Sequence, residues 1–376
     1  MEAGPRRCRT IWWVEGGGRT AVFGFQVMRV LVVRLTALGD VARTAEAAWA
    51  LAAAGHNVEW VVEEQFAAFL QTLPFVQNIY PLPRRRWLKN LKNPLTIPAV
   101  LKEGVDLLLD LRDRRFAAAF DFQGNFRGAV VTFLSGARCR VGFAHRGTYE
   151  AASLFYTKRV RLPRRPLHRV MQSFALLRPF GVTPPQTPPP VHIQPQFLRY
   201  VEEFLYQHKA LGKPLVVMHP GVSGFGAYKR WEARRYGELA LRLRERFGVF
   251  VALTWAGAEY ETALVAARAS RDAAVVAPRL PDVRFLLALL KHASLLVAAD
   301  TGPAHLAALL RIPTVTLFGP KDAQIYRPWG PGKVVTADVP CRPCNRRKCK
   351  DPICMRSITV DMVYQACVSV LAPLLS

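Results

Sequence analysis

Long apolar runs are missing from this 376-residue chain, although hydrophobic residues make up 51% of it. Because no stretch of 18 or more uninterrupted apolar residues occurs, no membrane-spanning helix is predicted, and any membrane contact should be peripheral. Short-period repeats, which are typical of solenoid proteins, are also missing. A single hydrophobic core rarely suffices at this length, so two domains are expected.

Acidic residues are scarce: 27 Asp and Glu stand against 52 Lys and Arg, which gives a net charge of +25. Such an imbalance favours anionic partners, namely nucleic acid, phosphorylated substrates or an acidic membrane surface. Charge alone does not choose among these three classes.

Cysteine is sparse and unevenly placed, with four of the seven residues between Cys341 and Cys354. This distribution does not resemble a disulfide framework and favours a reducing, cytosolic setting. The cluster has the spacing CxxC-x4-C-x4-C, and four thiolates could form a structural zinc site. Because the last two cysteines do not form a second CxxC and basic residues crowd the loop, free thiols or a local disulfide remain alternatives. The predicted zinc ligands are Cys341, Cys344, Cys349 and Cys354.

Short β-branched segments alternate with longer helical patterns, which predicts βαβ units around parallel sheets, an α/β fold. The predicted strands are Arg29–Arg34, Asn57–Val62, Asp106–Leu111, Ala117–Asp121, Pro214–His219, Val249–Thr254, Ala273–Ala277, Ser294–Ala299 and Thr314–Phe318. The predicted helices include Val41–Ala54, Glu232–Phe247, Pro303–Leu310 and a terminal helix over residues 358–376.

A proline-rich segment, residues 183–195, interrupts this pattern and is predicted to be a linker, since it can continue neither a helix nor a central strand. It would separate a first domain, residues 28–182, from a second, residues 196–357, which carries the Cys-rich loop 341–354. Residues 1–27 show no clear period and are predicted to be an extension outside the fold, with translation starting at Met28.

The first strand leads into a turn that ends in Gly39 and Asp40. Asp40 fits two interpretations: an ordinary helix N-cap, or a general base that takes a proton from an attacking sugar hydroxyl. Because ligands of such sheets bind beyond the carboxyl ends of the strands, this position suits either role.

Three further groups follow strands in the second half. His219–Gly224 leads to Lys229, and its glycines, Ser223 and the lysine suggest a diphosphate site, although a solvated loop with a basic pair is the alternative. The next group surrounds a predicted helix start, which favours anions, and consists of Asp300, Thr301, Gly302 and His305. The alternative is that Asp300 is only a helix cap and His305 only a packed core imidazole. Glu259 could accept hydrogen bonds from a ribose diol, or be an ordinary acidic residue of a first helical turn.

Taken in order, these motifs resemble those of glycosyltransferase family 9, the lipopolysaccharide heptosyltransferases, over roughly residues 28–370. The resemblance lies in the segments 34–41, 121–127, 219–221, 229–231, 300–305 and 318–320.

The resemblance implies a GT-B fold, in which two Rossmann-like domains face each other across a cleft, and inverting transfer of heptose from ADP-heptose to the lipopolysaccharide inner core. Asp40 would then be the base, and no metal would be needed for catalysis. The donor would be bound by Ser223, Lys229, Glu259, Asp300, Thr301, Gly302 and His305. On the acceptor side, the resemblance points to Gln123, Arg127 and Arg43.

Arg43 departs from the family pattern, because many relatives carry His three residues after the base, and a different acceptor is one explanation. The segment Arg84–Lys92 carries five positive charges and no acid. It is either a solvated loop or, given Trp87, Leu88 and Leu91, a peripheral contact with the anionic inner membrane.

Two other functions stay open: a nucleotide-sugar epimerase of similar architecture, and a basic nucleic-acid-binding protein with a cysteine-rich knuckle. The ordered strand-end motifs argue against nucleic acid, which does not need them. A monomer whose cleft closes on the donor is the expected form.

Overall fold

The computed structural model describes residues 27–144, 151–346 and 349–375. The predicted extension therefore lies, but for Val27, outside the described residues. The chain divides into two compact units, Met1–Val191 and His192–Ser376, and the division falls inside the proline-rich segment 183–195.

The first unit is built on a six-stranded parallel sheet of order β3-β2-β1-β4-β5-β6. Its strands are β1 (Arg29–Val33), β2 (Asn57–Glu63), β3 (Val76–Leu82), β4 (Ala118–Asp121), β5 (Cys139–Phe143) and β6 (Lys158–Val160). Its described α-helices are α1 (Leu38–Ala53), α2 (Ala67–Leu70), α3 (Arg84–Asn90), α4 (Ile97–Asp113), α5 (Phe126–Leu134) and α6 (Arg169–Leu177).

The second unit repeats this architecture with the sheet order β12-β11-β10-β7-β8-β9. Its strands are β7 (Leu215–His219), β8 (Phe250–Leu253), β9 (Ala274–Val276), β10 (Ala293–Ala299), β11 (Thr314–Leu317) and β12 (Gly332–Val335). Its described α-helices are α7 (Pro195–Gln207), α8 (Ala233–Phe247), α9 (Tyr260–Ala269), α10 (Val283–Lys291), α11 (Gly302–Leu309), α12 (Ala323–Tyr326), α13 (Ile353–Arg356) and α14 (Val360–Leu375).

The central strands are buried on both faces, which is why they appear in the sequence as nearly continuous apolar runs. Their helices are amphipathic instead. Helix α8 buries Tyr236, Leu239, Ala240 and Leu243, which recur at helical spacing, and it ends at Gly248 in the left-handed region (φ 63°). One apolar face per helix therefore covers each sheet.

One predicted strand is wrong: Asp106–Leu111 belongs to helix α4, which buries Val100 and Leu111 on one side. The run Leu107–Leu109 is short and apolar, and such a run does not distinguish a strand from a helix. Strands β3, β5, β6 and β12 were not predicted. Within the described ranges, no helix combines the length and apolar character that crossing a membrane requires.

Candidate active site

The candidate site residues lie beyond the carboxyl ends of the strands where each sheet changes direction. In the first unit, adjacent strands β1 and β4 lead to Asp40 and to the segment 121–127. In the second, adjacent strands β7 and β10 lead to segments 219–229 and 300–305. Doubly wound sheets open a crevice at this switch point, so the candidate residues of each unit lie where ligands of such sheets bind.

Asp40 lies in the first turn of α1, but the N-cap is Ala37, so the capping interpretation is wrong. The Asp40 carboxylate is instead bound by two guanidinium groups. Arg34 Nη2 lies 2.7 Å from Oδ2, and Arg43 Nη2 donates to Oδ1. The Asp40 side chain is 33% exposed, whereas those of Arg34 and Arg43 are 14% and 10% exposed.

The charge of Asp40 is strongly stabilised. Burial by itself would raise its pKa, but the guanidinium groups of Arg34 and Arg43, together with the charge of Arg169, hold the pKa well below its usual range. Asp40 is therefore ionised at neutral pH and, while both arginines are bound, is a weak base.

Gln123 connects the two strand ends of the first unit, because its Oε1 accepts hydrogen bonds from the backbone N–H groups of Leu35 (3.1 Å) and Thr36 (3.2 Å). Arg127 Nη1 lies 3.4 Å from Glu63 Oε1. Gln123 thus supports the loop that carries Asp40, and Arg127, 42% exposed, lies in the first turn of α5.

Asp121 is fully buried under this loop and was not predicted as a site residue. Its Oδ1 accepts from the N–H groups of Gln123 (2.7 Å) and Gly124 (3.1 Å), and its Oδ2 from the Tyr156 hydroxyl (2.6 Å). Burial raises the pKa of Asp121 to about 6 despite these bonds. A Cβ added at Gly128 would lie 2.6 Å from Asp121 Oδ1, so this position requires glycine.

In the second unit, Lys229 ends a 3₁₀ helix (Gly224–Lys229) and points to Asp300 rather than to solvent. Its Nζ donates to the Asp300 backbone oxygen (3.1 Å) and to Oδ2 (2.5 Å). The interpretation of Lys229 as part of a solvated basic pair is therefore wrong, since only 15% of its side chain is exposed. Ser223, the residue before this helix, is exposed.

Asp300 is not a helix cap, because the N-cap of α11 is Thr301 and the helix starts at Gly302. Asp300 Oδ1 lies 3.5 Å from His305 Nε2. Burial opposes ionisation of Asp300, yet His305 and Lys229 hold its pKa well below the usual range. The free N–H groups at the start of α11 thus lie beside a buried Lys229–Asp300–His305 cluster.

Glu259 lies against the β7 loop. Its Oε2 accepts from the Ala256 N–H (3.0 Å) and is 3.6 Å from His219 Nε2. Burial lowers the pKa of His219 to about 4, so the ring is neutral at pH 7 and this contact is not an ion pair. A Cβ at Gly221 would meet the Glu259 carboxyl at 2.5 Å. His219, which the sequence analysis named only as part of a motif, therefore lies beside Glu259, and its Nδ1 is 3.1 Å from the Thr254 hydroxyl.

The β7 loop is tied to a distant part of the same unit. The buried Trp231 donates through Nε1 to the backbone oxygen of Ile358 (2.8 Å), and Arg235 donates to the backbone oxygens of Arg356 and Ile358, 2.6 Å each. These bonds anchor the chain just after Lys229.

The basic segment forms α3 and the turn before α4. Trp87 does not face outward: its Nε1 donates to Glu103 on α4 (2.6 Å), and Arg86 pairs with the same carboxylate. The remaining surface is both apolar and cationic. Its apolar members are the exposed Leu88, Leu91, Leu95 and Leu101. The side chains of its cations Arg85, Lys89, Lys92 and Lys102 make no hydrogen bond or ion pair with any described residue.

The Cys-rich loop covers the carboxyl end of β11, where the N–H groups of Cys344 and Asn345 bind the Pro320 oxygen (3.0 Å each). Cys341, Cys344, Cys349 and Cys354 are free thiols. Among residues 27–144, 151–346 and 349–375, no three His, Cys, Asp or Glu side chains are placed to hold a metal ion. The predicted zinc ligands are thus not assembled into a metal site.

Comparison with known proteins decides the family. The model of "Glycosyltransferase family 9 (heptosyltransferase)" matches residues 106–354. The chain is also 31% identical over 328 residues to lipopolysaccharide heptosyltransferase 1 of Pseudomonas aeruginosa, covering 86% of this chain and 87% of the relative.

The chain belongs to glycosyltransferase family 9. It is 26% identical to the structure of Escherichia coli heptosyltransferase WaaC with ADP, with a TM-score of 0.70 over 90% of this chain and 98% of that one. It also shares the fold of E. coli ADP-heptose lps heptosyltransferase II at 20% identity, with a TM-score of 0.71 over 93% and 100% of the chains.

These findings confirm the predicted α/β fold of the GT-B class, with two Rossmann-like domains, and the prediction of a glycosyltransferase. Membership in family 9 favours glycosyl transfer over the epimerase alternative.

Proposed function

We propose that this family 9 glycosyltransferase transfers heptose from ADP-heptose to the inner core of lipopolysaccharide, with inversion at the anomeric carbon. The observation that carries the proposal is the placement of the motif residues beyond the strands at both switch points. The similarity to lipopolysaccharide heptosyltransferases supplies the donor and acceptor classes.

The reaction needs a base on the acceptor side, and Asp40 has a partly exposed carboxylate. The acceptor hydroxyl oxygen would bond to the anomeric carbon on the face opposite the diphosphate, and its proton would pass to Asp40. The bond between that carbon and the phosphate oxygen would break, and its electron pair would leave with ADP. Gln123 would hold the loop of Asp40, with Arg43 and Arg127 on the acceptor side.

The leaving ADP needs positive charge, which the second unit offers. Lys229 would exchange its contact with Asp300 for the diphosphate, assisted by Ser223 and the N–H groups of Thr301 and Gly302 at the α11 start. Asp300 and His305 would set the position of Lys229. Glu259, held by the Ala256 N–H, would accept hydrogen bonds from the ribose diol. These groups can stabilise the leaving diphosphate, and no metal is assigned to this step.

Contact with an anionic membrane surface is part of the proposal, because the acceptor is a lipid. The tip of the α3–α4 pair supports it: exposed leucines are surrounded by cations that no described residue pairs, a combination that suits acidic headgroups. We propose a monomer that binds the inner membrane peripherally from the cytoplasm. Zinc at the Cys-rich loop stays a prediction that the described geometry does not favour.

The test is ADP release from ADP-heptose, with and without a truncated lipopolysaccharide acceptor. Asp40→Asn should lower acceptor-dependent release by roughly 10²- to 10⁴-fold, the usual contribution of a positioned base, while ADP affinity stays nearly unchanged. Asp113→Asn, at the exposed end of α4, is the matched control and should behave as the wild type.

Unchanged turnover in Asp40→Asn would remove that residue from the mechanism. Absence of ADP release from the wild type with acceptor present would overturn the donor or acceptor assignment. Interconversion of the sugar without ADP release would instead identify an epimerase.

A further inference from the structure

Helix α4 carries an apolar stripe that the described residues leave exposed. Leu101, Val105 and Leu109 are spaced four residues apart, so they lie on one side of the helix. They are 61%, 51% and 58% exposed, whereas Val100 and Leu111 on another side are buried in the unit. A surface helix normally buries its apolar side and exposes polar residues. Helix α4 therefore has a second apolar side, which is unpartnered.

A row of charged residues runs along one edge of this stripe. Lys102 is followed by three carboxylates, those of Asp106, Asp110 and Asp113, and all four residues are exposed. These carboxylates make no hydrogen bond or ion pair with any other residue that the structure describes. Exposed, unpaired acids stand out in a chain of net charge +25. The stripe thus has a basic end at Lys102 and an acidic end at Asp110 and Asp113.

The acidic end of the stripe does not suit an anionic membrane surface. Acidic headgroups attract cations and repel carboxylates, so the lipid contact proposed above fits only the tip of the α3–α4 pair, which includes Leu101 and Lys102. Val105 and Leu109 lie about one and two turns farther along the helix, beside the carboxylates. These two residues need a different partner, with an apolar surface and a nearby cation.

A second copy of α4 meets that requirement. If two α4 helices pack in antiparallel orientation, with Leu101 of each copy against Leu109 of the other, Val105 meets its own counterpart at the two-fold axis. Lys102 of each copy then faces the turn of the other copy that begins at Asp106. The stripe is covered in both copies, and the basic end of each lies beside the acidic end of the other. In parallel orientation, like charges would meet instead.

We propose that α4 is a self-association surface, through which two copies of this chain pair in antiparallel orientation with Val105 at the two-fold axis. Three side chains per copy bury less than the roughly 800 Å² per partner of a standard interface, so the pairing should be weak and reversible. Two chains of net charge +25 repel each other, but at physiological ionic strength the Debye length is about 8 Å, which screens distant charges more than ion pairs in contact.

The inference goes beyond the proposed function and is compatible with its membrane-bound monomer. Antiparallel pairing points the two α3–α4 tips in opposite directions and covers Leu101. Both tips of one pair therefore cannot lie on the same membrane surface. Pairing and lipid binding should compete, and the pair is the form expected away from the membrane.

The first experiment measures the mass of the full chain by sedimentation velocity, over concentrations that reach the high micromolar range. The wild type should rise from the mass of one chain toward that of two. Val105→Asp places two like charges at the axis and should stay a monomer throughout. Val265→Asp changes a valine of α9 in the second unit, 39% exposed, and should associate as the wild type does. A monomeric wild type, or equal pairing by Val105→Asp, would overturn the proposal.

Charge reversal tests whether unlike ends meet. Lys102→Asp and Asp106→Lys should each weaken association severalfold, because each sets like charges against one another at two places in the pair. The double variant restores opposite charges at both places and should regain most of the wild-type affinity. A double variant that is as weak as the two single losses combined would contradict the antiparallel arrangement.

Single cysteines test the register, under mild oxidation by copper phenanthroline. Val105→Cys should form a disulfide-linked pair well above the background of the wild type, to which the exposed Cys341 contributes. Leu101→Cys and Leu109→Cys should each stay at background, since identical positions are about 12 Å apart along the helix axis, but a mixture of the two should crosslink. Crosslinking of Leu101→Cys with itself would show parallel pairing, and background levels throughout would show that another partner covers the stripe. Either result would refute the proposal.

Discussion

Asp121 illustrates, at the scale of single residues, how a buried charge can support a site without facing the substrate. Its Oδ1 accepts hydrogen bonds from the backbone of the loop that carries Gln123, its Oδ2 accepts from Tyr156, and Gln123 in turn holds the backbone before Asp40. The sequence placed Asp121 in a motif, but its raised pKa depends on burial and on Tyr156, 35 residues later. Neither is visible in a local pattern. A local pattern also does not show that Asp40 pairs with Arg34 and Arg43 instead of capping its helix.

The raised pKa of Asp121 predicts a pH dependence of stability. Because its pKa is about 6 in the fold and about 4 in the unfolded chain, the folded state holds the proton more tightly. The resulting stabilisation is fully present below pH 4 and is lost as the pH rises through 6, a change of roughly 2–3 kcal/mol. Urea unfolding at pH 5 and 8 should show about half of this loss in the wild type, roughly 1.4 kcal/mol, because pH 5 lies only one unit below the folded-state pKa.

Asp121→Asn should remove most of that difference, since the amide oxygen can still accept from Gln123 and Gly124. Asp113→Asn serves as the exposed control and should keep the wild-type dependence. An identical pH difference in Asp121→Asn and the wild type would mean that other groups cause it.

The α3–α4 pair shows, at the scale of elements, what patterns can and cannot predict. The run of positive charge over Arg84–Lys92 was evident from the sequence. The sequence did not show which of its side chains pack inward: Arg86 and Trp87 join α3 to α4 through Glu103, whereas the leucines are exposed. Helix α4 itself was taken for a strand. Three of the four missed strands, β3, β6 and β12, are sheet edges, where burial is incomplete and the apolar signal is weak.

Leu95 is 89% exposed in the turn between α3 and α4 and should enter the lipid interface. Leu95→Asp should weaken binding to phosphatidylglycerol-containing vesicles by about tenfold, because burying a leucine contributes roughly 1.5–3 kcal/mol. Sedimentation with vesicles measures this. Lys89→Gln should cause a loss of about fivefold, near 1 kcal/mol per cation, that high salt abolishes.

The control is Leu154→Asp, which alters a leucine of similar exposure in the same unit and should leave vesicle binding unchanged. Equal binding to phosphatidylcholine vesicles without anionic lipid would contradict an electrostatic contact.

At the scale of the whole molecule, the chain is two doubly wound units with separate sheets. The second unit was the more predictable half: all five of its predicted strands are present, because they are apolar and buried between helices. The acceptor-side candidates were less accessible, since their partners lie on other elements: Gln123 bonds to the loop after β1, and Arg127 pairs with Glu63 of β2.

Donor binding is expected in the second unit, so ADP should stabilise that unit selectively. At 100 times its dissociation constant, ADP should add about 2.7 kcal/mol to the unfolding free energy. Calorimetric scans with and without ADP measure it, and Lys229→Ala should lose most of the gain. Arg234→Ala, an exposed change nearby, should retain it. Full stabilisation in Lys229→Ala would separate that lysine from the diphosphate.

The hydrogen bond between Trp231 and Ile358 links the loop after β7 to residues that are synthesised much later. Because the bond spans 127 positions, a ribosome must add about a third of the chain after Trp231 before its partner exists. A protein truncated before residue 356 would keep every strand of both sheets and lose the anchor of the loop that leads to Lys229. Because Ile358, Val363, Cys367 and Leu371 also belong to the core of the second unit, early termination should leave that unit incompletely packed as well as without this anchor.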